Sequence, residues 1–161
     1  MTPGPKLRIG VLGPGVASSD ALALADEVGA EIARRGAILI CGGLTGVMEA
    51  AARGAERAGG LTVGILPGVD AREANAFIDV PVATGMGEAR NVLVVRSSDA
   101  VIAIAGSYGT LSEIAVALKI GVPVVGLQTW ELRSPDGSEP PIIRAGSPQQ
   151  AVANAIEAVR S

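Results

Sequence analysis

Five short runs of small aliphatic residues recur along the chain, "LRIGVL" (7–12), "AILIC" (37–41), "LTVGIL" (61–66), "AVIAIA" (100–105) and "PVVGL" (123–127), and segments of helical period lie between them. Strand and helix periods that alternate in this way require repeated βα units, because parallel strands need a long crossover where antiparallel ones need only a tight turn. Apolar residues make up 48% of the 161 positions and only three are aromatic, which suits strands buried on both faces under helices of small residues. The expected fold is α/β: a Rossmann-like three-layer αβα sandwich with a mainly parallel sheet.

The length suits one domain. Residues 1–6, rich in Pro and Gly, read as a flexible tail, and residues 7–161 as a single nucleotide-binding domain. Helices are expected over 18–35, with Leu22, Ala25, Val28 and Ile32 on one face, over 45–58, 87–97 and 110–120, and from Ser147 onward, where Ser147 and Gln150 make a capping box. A short strand over 78–84 is weakened by Pro81, while 67–77 and 128–141 read as loops. Thr110 and Glu113 match the capping-box pattern T-x-x-E, which sets a helix start at Thr110 and Glu113 in its first turn. The helix dipole would there keep Glu113 anionic.

Several chemistries are disfavoured. The chain has no histidine, which removes Ser-His and Cys-His catalysis and imidazole-based zinc sites; no residue is assigned to a metal. Its only lysines, Lys6 and Lys119, do not sit where a Schiff base would be expected. A formal charge of −3 with scattered basic residues argues against nucleic acid and anionic membranes as partners, and no apolar run is long enough to span a bilayer. The lone Cys41 excludes an intrachain disulfide, and a cytoplasmic location is expected.

In a parallel sheet every strand ends at the same edge, so the loops after the strands converge there. Gly13 and Gly15 follow the first strand in "GPGVAS", near a dinucleotide fingerprint. The second strand, however, ends in Cys41-Gly42-Gly43 rather than an acidic ribose contact, so the stretch reads better as a tight turn. Gly42, Gly43 and Thr45 form a second glycine cluster, in which Thr45 caps a helix or meets a phosphate. Gly106, Ser107, Tyr108, Gly109 and Thr110 form another between strand and helix, with glycines spaced for close approach to a phosphate or ribose. Arg90 and Asn91, one turn into the helix after "TGMG", open on the same cleft as Glu113 if their strands are neighbours; a surface arginine or a simple Arg-Glu pair is the plainer alternative.

Taken in order, "CGGLTGVMEAAARGA", "GGLTVGILPG", "GMGEARN" and "GSYGTLSE" resemble the Lonely Guy (LOG) superfamily, whose members were often labelled lysine decarboxylases. The resemblance covers roughly residues 7–127. It implies hydrolysis of the N-glycosidic bond of nucleoside 5′-monophosphates to free base and ribose 5-phosphate. No cofactor would be required, and Glu113 and Arg90 would be the catalytic pair. The family signature P-G-G-x-G-T-x-x-E with an upstream arginine falls on Gly109, Thr110, Glu113 and Arg90, whereas Ala105 and Ser107 replace its proline and second glycine. The chain is also similar to a neighbouring branch that includes the molybdenum cofactor carrier protein, which implies a non-catalytic carrier of a phosphorylated pterin.

The helix over 110–120 is apolar around most of its circumference, which points to an intersubunit contact and a homodimer or homotetramer.

Overall fold

The computed structural model describes residues 3–161, so the first two residues of the expected 1–6 tail lie outside the described residues. The strands are β1 (Arg8–Leu12), β2 (Ile38–Cys41), β3 (Thr62–Leu66), β4 (Val80–Ala83), β5 (Ala100–Ile104), β6 (Val124–Leu127) and β7 (Ile142–Arg144). They form one sheet in the order β4-β3-β2-β1-β5-β6-β7, with every neighbouring pair parallel. The helices are α1 (Ser19–Arg34), α2 (Val47–Arg57), α3 (Arg90–Arg96), α4 (Tyr108–Ile120) and α5 (Pro148–Arg160), with 3-10 turns at Ala71–Glu73 and Gly87–Ala89. Among the described residues no helix is long and apolar enough to cross a membrane.

Helices α1, α2 and α5 pack together on one face of the sheet, and α3 and α4 on the other, giving the three layers expected. From β1 the chain steps outward through β2, β3 and β4, then returns to lay β5 against the opposite side of β1. The loops after β1 and β5 therefore part at the switch point, where a crevice opens at the strands' C-terminal ends.

Local chemistry fixes these elements. Ser18 caps α1, its Oγ accepting from the Ala21 N–H at 3.2 Å, and Gly121 ends α4 in the left-handed region at φ 81°. At α5 the Ser147 Oγ accepts from the Gln150 N–H at 3.1 Å. The Gln150 side chain reaches one residue further back than a capping box requires, accepting from the Gly146 N–H at 2.6 Å. Helices α1 and α2 touch backbone to backbone: a Cβ on Gly29 would collide with the Ala51 carbonyl, and one on Gly54 with the Asp26 carbonyl. Pro81 is accommodated because β4 is an edge strand, where its missing N–H breaks no ladder.

The segment 128–141 is a loop, as expected, and ends in a seventh strand that the sequence analysis did not anticipate, β7, which pairs with β6. One expectation is corrected. Helix α4 begins at Tyr108 with Ser107 as its cap, so Thr110 is not the cap and Glu113 falls in the second turn.

Candidate functional site

A cavity of about 280 Å³ occupies the crevice beyond β1 and β5. One side is formed by Gly13 and Gly15, and another by the apolar Leu44, Met48 and Pro67. Glu88, Arg90 and Asn91 line it from the start of α3, and Ser107, Gly109, Thr110 and Glu113 from α4. Eight of the residues singled out in the sequence thus meet in one place, although they come from three separate segments.

The second glycine cluster stands behind this wall rather than on it. The Gly43 N–H donates to the Cys41 Sγ at 3.4 Å, and the Gly42 carbonyl accepts from Arg90 Nη2 at 3.4 Å. A Cβ on Gly42 would lie 2.7 Å from the Met48 Sδ and 2.9 Å from Arg90 Nη2, so the missing side chain makes room for Arg90. Thr45 does not cap α2: its Oγ1 donates to the Gly15 carbonyl at 3.0 Å, and the cap position is Gly46, at φ 68°. The first N–H of α2, that of Val47, donates to the Pro14 carbonyl at 3.0 Å. One of the donors α2 would turn toward an anion is therefore already occupied.

The turn from β5 into α4 is built differently. Ala105 takes φ 55°, and Thr129 Oγ1 donates to its carbonyl. Proline, locked near φ −65°, cannot adopt this conformation, so the turn differs from the one the P-G-G-x-G-T-x-x-E signature requires. Gly106 gives space to an indole: a Cβ there would lie 2.5 Å from Trp130 Nε1, which donates to the Ser107 carbonyl at 3.1 Å. The Ser107 Oγ accepts from the Thr110 N–H at 3.4 Å and lies 3.2 Å from Thr110 Oγ1. The N–H groups of Tyr108 and Gly109, at the start of the helix, have no intrahelical acceptor. Tyr108 is 83% exposed and stacks on Trp130 with centroids 6.1 Å apart and an interplanar angle of 28°.

Arg90 and Glu113 are each only 8% exposed. Arg90 Nη1 donates to the Asn91 Oδ1, Nη2 to Gly42, and Nε has no partner among the described residues. Burial lowers the guanidinium pKa, against the attraction of Glu113. Burial also pushes the Glu113 carboxyl up to about 7, with the Arg90 charge opposing the rise. The expectation of a permanently anionic Glu113 is thereby corrected: desolvation outweighs the dipole, whose effect fades beyond the first turn. Beneath them the buried Cys41 thiol is pushed up to about 11 and stays protonated at neutral pH. Trp130 was missed in the sequence; the available signal was the chain's only tryptophan just past the C-terminal end of an expected strand.

This architecture extends to proteins of described function. The molybdenum cofactor binding protein from the phototrophic bacterium Rippkaea orientalis superposes with a TM-score of 0.89 at 40% identity, over 98% of this chain and 99% of that one. The molybdenum cofactor carrier protein from Chlamydomonas reinhardtii gives 0.85 at 35% identity, over 98% and 100%. A cytokinin riboside 5′-monophosphate phosphoribohydrolase of Mycobacterium tuberculosis is 36% identical over 121 residues, 70% of this chain and 65% of that protein. DNA processing protein A from Helicobacter pylori shares the fold at 19% identity, with a TM-score of 0.69 over 94% of this chain and 80% of that one. The SLOG cluster4 family matches residues 6–154, and the chain belongs to that family, within the LOG-like superfamily and near its molybdenum cofactor carrier branch.

Proposed function

We propose that this protein binds a small phosphorylated heterocycle in the β1/β5 crevice, and that it acts as a carrier whose cargo is molybdenum cofactor or a related phosphorylated pterin. The observation that carries this reading is the open first turn of α4 beside a buried arginine whose Nε is unpartnered. Free N–H groups at a helix start and a guanidinium both favour a phosphate. The N–H groups of Tyr108 and Gly109, with the hydroxyls of Ser107 and Thr110, hold that phosphate. Gly13 and Gly15 let the β1 turn approach the ligand, and Asn91 steadies the Arg90 guanidinium.

The carrier role is favoured over turnover by Ala105, whose left-handed turn a proline cannot copy, and by the end-to-end likeness to cofactor-binding proteins. Glu113 supports hydrolysis of nucleoside 5′-monophosphates as a second reading. Its carboxyl lines the same cavity, and the fraction ionised near pH 7 would stabilise the positive charge that develops on ribose as a base leaves. The protein acts in the cytoplasm as a homodimer or homotetramer.

Two measurements separate the readings. After incubation with molybdenum cofactor and gel filtration, a carrier retains pterin, detected by fluorescence after oxidation. After incubation with a panel of nucleoside 5′-monophosphates, a hydrolase releases free base, and Glu113→Gln abolishes the release. Retention without base release is the expected result; base release that depends on Glu113 overturns the carrier role.

A further inference from the structure

Two of the chain's three aromatic residues stack beside the cavity, outside its lining residues: Tyr108 stands clear of the core, and Trp130 packs partly against it. Tyr108 is largely exposed, and its ring stacks on Trp130. Trp130 is fixed in turn. Its indole N–H donates to the Ser107 carbonyl, its ring occupies the space that Gly106 leaves open, and its own carbonyl accepts from Arg144 Nη2 at 2.8 Å. The adjoining Thr129 is tied to the Ala105 carbonyl. An anchored indole thus supports a tyrosine whose other face is open to solvent.

The position of that open face carries the argument. Tyr108 stands between Ser107 and Gly109, both of which line the cavity, and its backbone N–H is one of the free donors at the start of α4. A phosphate on those donors brings whatever is bonded to it within reach of the tyrosine ring. We propose that Tyr108, backed by Trp130, is the stacking platform for the planar heterocycle of the phosphorylated ligand. This inference rests on the proposed phosphate-binding role of α4 and names the part of the ligand that gives selectivity: a flat aromatic ring, whether pterin or nucleobase.

The test compares a nucleoside 5′-monophosphate and a phosphorylated pterin with ribose 5-phosphate, which has the phosphate but no ring, by isothermal titration calorimetry. The unaltered protein binds the ring-bearing probes more tightly. Tyr108→Ala weakens them about 5- to 150-fold, the range of one aromatic stacking contact, and leaves ribose 5-phosphate unchanged. Tyr108→Phe retains most of the affinity, a rescue that a role for the hydroxyl would not allow. Trp130→Leu gives the same ring-selective loss, and its thermal midpoint shows whether the fold has been kept. Equal binding by Tyr108→Ala, an equal loss for all probes, or a ring-selective loss confined to Met48→Ala in the cavity's apolar lining would overturn the platform while leaving the phosphate site standing. Failure of the unaltered protein to bind any phosphorylated probe would overturn both.

Discussion

At Glu113 burial and a neighbouring cation pull in opposite directions, and burial prevails, so the carboxyl that the sequence pattern marked is held near pH 7 rather than as a fixed anion. Its identity was legible from the T-x-x-E spacing, but its charge state was not. The T-x-x-E pattern pointed to Thr110 as the cap; the backbone places the cap at Ser107 instead, moving Glu113 out of the dipole's reach. The consequence for stability has a definite sign. The folded state holds this proton more tightly than the unfolded chain, so between about pH 4.5 and about 7 it binds more protons and loses stability as pH rises. Below that window both states are protonated; above it both are ionised and the penalty is constant. The difference in unfolding free energy between the unaltered protein and Glu113→Gln is therefore expected to shift by up to about 3 kcal/mol across the window, in favour of Gln at higher pH. Urea denaturation at a series of pH values reads it, and a difference that stays flat from pH 4.5 to 7 refutes the buried-carboxyl account.

At the scale of elements, alternating periods revealed five of the seven strands outright, because strands buried on both faces must be continuous apolar runs. Strand β7 was hidden because Ile142 to Arg144 is short and follows Pro140 and Pro141, so no local pattern separates it from the loop; its pairing with β6 is decided by tertiary contact. The turn between β5 and α4 was read as a glycine cradle, and its central feature, the φ of 55° at Ala105, has no signature in an alanine. A left-handed alanine costs roughly 1–2 kcal/mol, and glycine relieves it while giving back part of the gain as unfolded-state entropy. Ala105→Gly is expected to raise stability by about 0.5–1 kcal/mol. Ala105→Pro, which cannot take the conformation at all, is expected to lower stability and to weaken phosphate binding together, since it displaces the start of α4. An Ala105→Pro protein as stable as the unaltered chain would mean that the turn accepts the family signature after all, and the carrier reading would lose its geometric support.

Across the whole molecule the two faces of the sheet are unequally covered, by three helices on one side and by α4 with the short α3 on the other. This imbalance changes what the apolar sequence of α4 means. The sequence made the helix look apolar all round; the structure divides it into two stripes. Thr110, Glu113, Ile114 and Ala117 face inward, while Leu111, Ala115 and Leu118, at i, i+4 and i+7, form a stripe that is exposed at Ala115 and half-buried at Leu111 and Leu118, the last packing partly against the core. On the neighbouring α3, Val92 is exposed as well. Exposed apolar surface of this kind is used at association sites, and a two-fold axis lets one patch serve both partners. The proposed homodimer or homotetramer would use this face. Sedimentation over a concentration series is expected to give at least the mass of a dimer. Ala115→Glu, which places a charge in the middle of the stripe without entering the core, is expected to shift the population to monomer while leaving the thermal unfolding of dilute protein within about 0.5 kcal/mol of the original. A monomer at every concentration would remove the interface. A dimer indifferent to Ala115→Glu would move it elsewhere, to the open edges at β4 or β7, and the outward stripe of α4 would then need a different occupant.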